Sequence, residues 1–217
     1  MKAMRIFFNK ITDKDFLISI FCLMGLQAII YALIKYLQFN YHSGLSTIDS
    51  IIPFVPHFIY IYNIFYPFVF VVLYYVFCND KEKYYQGIMA GVIGYLISDV
   101  IFLVYPTIMI RPEVIYDKLD FLTGLIIKIT YSIDNPPLNC FPSIHCLFCF
   151  QVMYMIIISR NIAIDKKIII TLVSLLIALS TILVKQHYFY DILGAFIVFI
   201  LSNMFVYVIK KLIINWQ

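Results

Sequence analysis

The stretch that decides the fold runs from Ile168 to Ile209: IIITLVSLLIALSTILV (168–184), KQHYFYD (185–191), then ILGAFIVFILSNMFVYVI (192–209). Two uncharged runs, each long enough or nearly so to cross a hydrocarbon layer as a helix, flank a short segment carrying a lysine, a histidine and an aspartate. Phe16–Ile34, Ser50–Asn79 and Asn135–Ser159 are further uncharged runs of this kind. All are continuously apolar rather than alternating, which predicts helices and argues against a closed barrel. Of the 217 residues, 63% are hydrophobic and 13% charged, and the mean hydropathy is +0.93. A soluble domain carries about 25% charged residues. The composition therefore excludes a soluble enzyme, a disordered tail and a nucleic-acid binder, and the chain reads as an integral membrane protein.

Hydropathy places six spans at roughly 15–37, 53–78, 85–105, 142–160, 166–185 and 187–210. The expected fold is an all-α six-transmembrane-helix bundle forming a single membrane domain over 1–217, with no internal repeat. Pro53, Pro56 and Pro67 predict a late start or a bend in the second span. No small-residue cleavage site follows Phe16–Ile34, so that run is expected to stay as the first span. In the polar segment between spans three and four, Ile115, Leu119, Leu122, Ile126 and Ile129 share one helical face, while Asp117, Asp120 and Lys128 take the other. That pattern predicts an interfacial helix over about 114–131. Lys2, Arg5, Lys10, Lys14, Lys81, Lys83, Arg160, Lys166, Lys167, Lys210 and Lys211 fall on one side of this arrangement. Arg111, Lys118, Lys128 and Lys185 fall on the other, and Lys35, near the end of the first span, is left over. The richer side is expected to be cytoplasmic, with both termini there.

Chemistry-bearing residues gather on the poorer side. Arg111-Pro112 follows the third span, Pro142-Ser143-Ile144-His145 opens the fourth, and Lys185 through Asp191 opens the sixth. Ionisable groups at span ends are costly and are usually functional. His187 and Asp191 are four apart and share a helix face, so the carboxylate can hold one ring nitrogen and leave the other free as a nucleophile. Pro142 suits a first helical position, and the backbone N–H groups around Ser143 and Ile144 then face an anion. His145, one turn inside, is placed to protonate a departing oxygen. Arg111 offers the planar fork that grips phosphate. Taken singly, each has a plainer reading. A His/Asp pair four apart also suits a structural contact, Arg111 an interfacial anchor, and Asp99 a polar contact between helices. Lys185 suits a phosphate ligand or a snorkelling anchor equally. His42 and His57 read as packing residues, as do Cys22, Cys78, Cys146 and Cys149, while Cys140 reads as a loop thiol.

Arg-Pro, Pro-Ser-x-His and His-x-x-x-Asp spread over a six-span chain resemble the type 2 phosphatidic acid phosphatase superfamily, over Pro106 to Ala195. The resemblance implies lipid phosphate phosphatase or phosphotransferase activity with no metal and no other cofactor. It casts His187 as nucleophile, Asp191 as its partner, His145 as acid, and Ser143 and Arg111 as phosphate ligands. The departures are specific. Val104 stands where the first motif has a lysine, Ile144 where the second has a glycine, and Thr181, after Ser180, where the third has an arginine. Lys185 is the candidate to replace one missing cation. The wording around these motifs looks more like the inositol phosphorylceramide synthase-like branch, which implies an alcohol acceptor as the alternative to water. The expected partners are a lipid phosphate and the bilayer, with the site on the outer face of the cell membrane. A transporter would use Asp99 and the span-end charges as a pathway and predicts paired repeats, which the chain lacks. A structural membrane protein would tolerate loss of His187.

Overall fold

The helices form where the uncharged runs lie, and polar side chains set their ends. The computed structural model describes residues 12–38 and 40–215; Lys2, Arg5 and Lys10, which entered the charge count, lie outside these residues. The order is α1 (Asp13–Leu37), β1 (His42–Ser43), α2 (Thr47–Ile51), α3 (Ile59–Asn63), α4 (Phe65–Asn79), α5 (Lys81–Val104), β2 (Thr107–Ile108), α6 (Phe121–Ile133), α7 (Ile144–Ile158), α8 (Ile164–Leu183) and α9 (Phe189–Asn215). The chain is an all-α membrane protein. Among the described residues, five helical stretches are long and apolar enough to cross a membrane: α1, Pro56–Asn79, α5, α8 and Phe189–Leu212.

The prolines act as expected. The second span begins with a 3-10 turn at Pro56–Phe58 and breaks at Ile64, between α3 and α4. Pro67 lacks an N–H and its ring crowds the carbonyl four residues back, at Asn63, where α3 ends. The fourth expected span is shorter than its hydropathy. Ser143 caps α7 at its start and Ser159 ends it, leaving 15 residues. That is about 22 Å of helix against about 30 Å of hydrocarbon.

This short helix lies at the middle of the bundle and packs against α4, α5, α8 and α9. Leu147, Cys149, Val152, Met155 and Ile156 on α7 are buried against Val72, Leu73 and Val76 of α4 and Ala195 and Val198 of α9. At Gly87 a Cβ would collide with the Met155 thioether, so the glycine permits the α5–α7 approach. Gln27 Nε2 donates to Asp99 Oδ1 at 2.9 Å, which makes Asp99 a polar contact between α1 and α5.

Three expectations need correction. A single helix does not cover 114–131. Tyr116–Lys118 is a 3-10 turn, and Asp120 caps the separate α6 by accepting the Thr123 N–H at 3.0 Å. Moreover, α6 buries Thr123 and Ile127, while Leu122 and Ile129 from the expected apolar stripe are exposed. His42 and His57 are not packing residues. Both are exposed, His42 stacked on Tyr105 and His57 beside Asp120. Cys22 and Cys78 are exposed on the outside of the bundle, whereas Cys140, Cys146 and Cys149 are buried free thiols.

One end of the bundle gathers the basic residues. Ser159 Oγ donates to Asp80 Oδ2, the Asn161 amide to the Asn79 carbonyl, and Lys210 pairs with Glu82. At the other end the loops are laced together. β1 pairs in parallel with β2, and Asn139 N–H donates to the Thr107 carbonyl at 2.7 Å. The candidate chemistry sits at this second end.

Candidate active site

His187 is presented by a helix ending that has no glycine. Lys185 adopts a left-handed conformation, φ 51°, just past α8. Its N–H donates to the Ile182 carbonyl, and the Gln186 N–H reaches back to Thr181. These two bonds make a Schellman ending. After it the chain reverses and α9 begins. Two carboxylates satisfy the first N–H groups there. Asp191 Oδ2 accepts the Tyr188 N–H at 2.8 Å, and Asp49 Oδ1 accepts the Phe189 N–H at 2.8 Å. Asp191 thus caps the helix and orients His187 with one oxygen.

The two histidines meet. His187 Nε2 lies 3.4 Å from His145 Nδ1, and the ring centroids are 5.6 Å apart. On the other side of the ring, His187 Nδ1 lies 3.0 Å from the Cys140 carbonyl oxygen and 3.2 Å from Asp191 Oδ2. Both partners are acceptors, so Nδ1 carries the proton. In the neutral ring Nε2 is then the free base, and it accepts from His145 Nδ1–H. His145 Nε2 in turn faces the Tyr62 hydroxyl at 3.3 Å. With both imidazoles neutral, the donors run one way: Tyr62, His145, His187, then Cys140 and Asp191. Thr107 holds the far end of this chain in place. Its buried hydroxyl accepts the N–H groups of Cys140 and Phe141 at 2.9 and 3.0 Å. Burial, with the Asp191 and Asp134 carboxylates nearby, pushes the Cys140 thiol well above its ordinary pKa, so it is no thiolate nucleophile.

The remaining expected residues are placed differently from one another. Ser143 caps α7, accepting the Cys146 N–H at 3.3 Å. Its own N–H donates to the Asp191 carbonyl at 3.0 Å, so this backbone group is not open to an anion; its O–H is the donor it has left. Pro142 precedes the cap rather than occupying the first helical position. Arg111 reaches the site through Gln186. Its Nη2 donates to Gln186 Oε1 at 2.6 Å and to Asp134 Oδ2 at 2.7 Å, and its Nη1 donates to the Tyr131 and Asp134 carbonyls. The guanidinium lies over the Tyr131 ring, 4.3 Å from its centroid. The fork is therefore filled by protein acceptors, while Arg111 Nε and Gln186 Nε2 are buried donors with no partner. Lys185 does not join this group. Its ammonium donates to the Ile52 and Asp49 carbonyls at 2.6 and 3.2 Å, at the end of α2, and burial lowers its pKa below the ordinary lysine value.

Structure thus brings His145, His187 and Asp191 into direct contact, joins Ser143 to them through backbone, and joins Arg111 through Gln186. Gln186, Asp134, Tyr62, Thr107 and Asp49 were not singled out from sequence. Gln186 carried the one available signal, its place beside His187 in the polar segment. Among the described residues no three histidine, cysteine, aspartate or glutamate side chains are grouped as metal ligands. Comparison with known families matches residues 28–205 to the model described as the PAP2 superfamily. Comparison with curated proteins and with solved structures returns no significant match.

Proposed function

The chain belongs to the PAP2 superfamily, and from that premise we propose that it transfers a phosphoryl group from a membrane lipid phosphate to water through a phosphohistidine at His187. The observation that supports this most directly is the pair of imidazoles 3.4 Å apart, one with its far nitrogen held by a carboxylate and a carbonyl. The phosphate enters by parting the two rings. His187 Nε2 attacks phosphorus, the N–P bond forms and the bond to the lipid oxygen breaks. His145, as imidazolium, gives its Nδ1 proton to that oxygen. The Tyr62 hydroxyl can donate or accept, and so suits either charge state of His145. Water then attacks phosphorus, His145 Nδ1 takes its proton, and His187 is released. Arg111 Nε–H, Gln186 Nε2–H and the Ser143 hydroxyl are the donors offered to the phosphoryl oxygens. In this reading Arg111 supplies the positive charge, the neutral donors add hydrogen bonds, and no metal takes part.

In the same reading, α7 is the fourth crossing and brings the total to six, α6 lies in the interface, and the histidines face the outer leaflet of the cell membrane. Lys185 acts as the helix ending rather than as a phosphate ligand. Incubating the purified protein with lipid phosphates in the presence of a chelator tests the chemistry. Phosphate should be released by the parent and not by His187→Ala. Undiminished turnover in that variant, or strict dependence on a divalent ion, refutes it. A new phosphodiester formed on adding an alcohol would make the acceptor an alcohol instead of water. Reporters fused near Asn135 and at Gln217 test the orientation, and an extracytoplasmic Gln217 overturns it.

A further inference from the structure

At the basic end of the bundle, a cavity of about 520 Å³ opens between the start of α5 and the last turns of α7 and α9. It is remote from the histidines, since the run from His145 to Ile158 along α7 alone covers about 20 Å. Lys83, Lys210 and Lys211 line it, and no carboxylate does. Glu82, beside it, is taken by Lys210 at 2.7 Å, which leaves a positive surplus. Gln86 and Asn203 also line it, but their amides are taken within the protein, Gln86 by Lys83 and Glu82 and Asn203 by the buried Gln151, so the lysines carry the recognition. Tyr154 and Tyr207 form the walls. From the mouth, Met204 and Val208 continue along the exposed apolar flank of α9.

We infer that this cavity binds the headgroup of an acidic phospholipid. Its volume suits a small polar ligand. Basic recesses between membrane helices attract anionic headgroups, and tyrosines sit at headgroup depth. The adjoining apolar flank of α9 gives the acyl chains a surface to follow, which a free anion would not use. The site shares no residue with the histidine centre and stands whether or not that centre turns over lipid phosphates.

The test uses the full-length protein in zwitterionic detergent, titrated separately with phosphatidylglycerol and with phosphatidylcholine of the same chains, with retained lipid read by native mass spectrometry. The parent should retain phosphatidylglycerol preferentially. The paired change Lys83→Gln with Lys211→Gln should weaken that retention about 30-fold and leave phosphatidylcholine unaffected. The paired change to arginine should preserve it, which separates charge from fold. Equal retention of the two lipids by the parent overturns the inference, as does a preference that survives the glutamine pair. Release of phosphatidylglycerol by millimolar inorganic phosphate would mark a free-anion site and equally overturn it.

Discussion

Asp191→Asn separates two jobs that a carboxylate beside a catalytic histidine usually performs together. Where the carboxylate alone selects the tautomer, the amide turns the ring to the wrong form and rates fall by about 10⁴. Here the Cys140 carbonyl also accepts from His187 Nδ1, at 3.0 Å and closer than the carboxylate at 3.2 Å. The tautomer therefore survives the substitution. The asparagine oxygen can still accept the Tyr188 N–H, so the start of α9 survives too. What disappears is the negative charge that faces the imidazole as it becomes a cationic phosphohistidine. A charge-assisted bond is worth about 1.5–3 kcal/mol and a neutral one about 0.5–1.5, so the loss is about 1–2 kcal/mol, or roughly 5–30-fold in rate. Initial rates of phosphate release from a short-chain lipid phosphate in detergent micelles measure this, with His187→Ala as the zero. A loss beyond about 10³-fold in a protein of unchanged melting temperature would show that Cys140 does not hold the tautomer. The scheme for the nucleophile would then have to be rebuilt.

Other substitutions follow from the same contacts. His145→Ala should cost about 10²–10⁴-fold with a lipid alkoxide leaving group and far less with a nitrophenyl phosphate, which needs no proton; equal losses on both substrates would remove His145 as the acid. Thr107→Val leaves the buried N–H groups of Cys140 and Phe141 unpaired, so it should destabilise the protein by about 2–4 kcal/mol, visible as a lower melting temperature, and slow turnover through His187. Lys185→Gly should keep KM and stability near the parent because it relieves the left-handed backbone, whereas Lys185→Val should destabilise by about 1–3 kcal/mol; a large KM increase in the glycine variant would instead make Lys185 a phosphate ligand. Cys140, with its pKa raised, stays a thiol in the fold, and the unfolded chain loses that proton first as pH rises. At pH near the ordinary thiol value of about 8.5, maleimide should therefore label Cys140 only after denaturation.

Much of this was legible from residue spacing alone. The break in the second span follows from Pro67. The His187–Asp191 contact was expected from one helical turn, but α9 starts at Phe189, so His187 lies before the helix and Asp191 reaches back to it across the helix start. The meeting of His145 with His187 was expected from two span ends at one depth. What sequence hid was the competition for donors and acceptors. Arg111 read as an open fork, yet Asp134 and Gln186 fill it, and nothing in the spacing of 111, 134 and 186 announces a shared partner. Ser143 and Ile144 read as free N–H donors, but the Asp191 carbonyl takes the first. Lys185 stood equally as a phosphate ligand or a snorkelling anchor, and its part in the helix ending was hidden because left-handed endings are recognised by glycine, and here a lysine serves. The apolar stripe over 114–131 was split because the cap at Asp120 restarts the helix and changes which face is buried.

The contact between the two imidazoles has a kinetic consequence. In the resting site the base that must attack phosphorus is already engaged by the acid that must assist it. Every phosphate ligand has to break that engagement, so its measured affinity is the intrinsic one scaled by the small fraction of molecules in which the rings stand apart. If the contact is worth about 1 kcal/mol, the reduction is about fivefold, and it falls on all ligands alike. A lipid offsets it with the rest of its body, held by the bilayer and the helices. Inorganic phosphate has no such body. The rings closing behind it would expel the product of hydrolysis, leaving the centre weakly inhibited by the phosphate it releases.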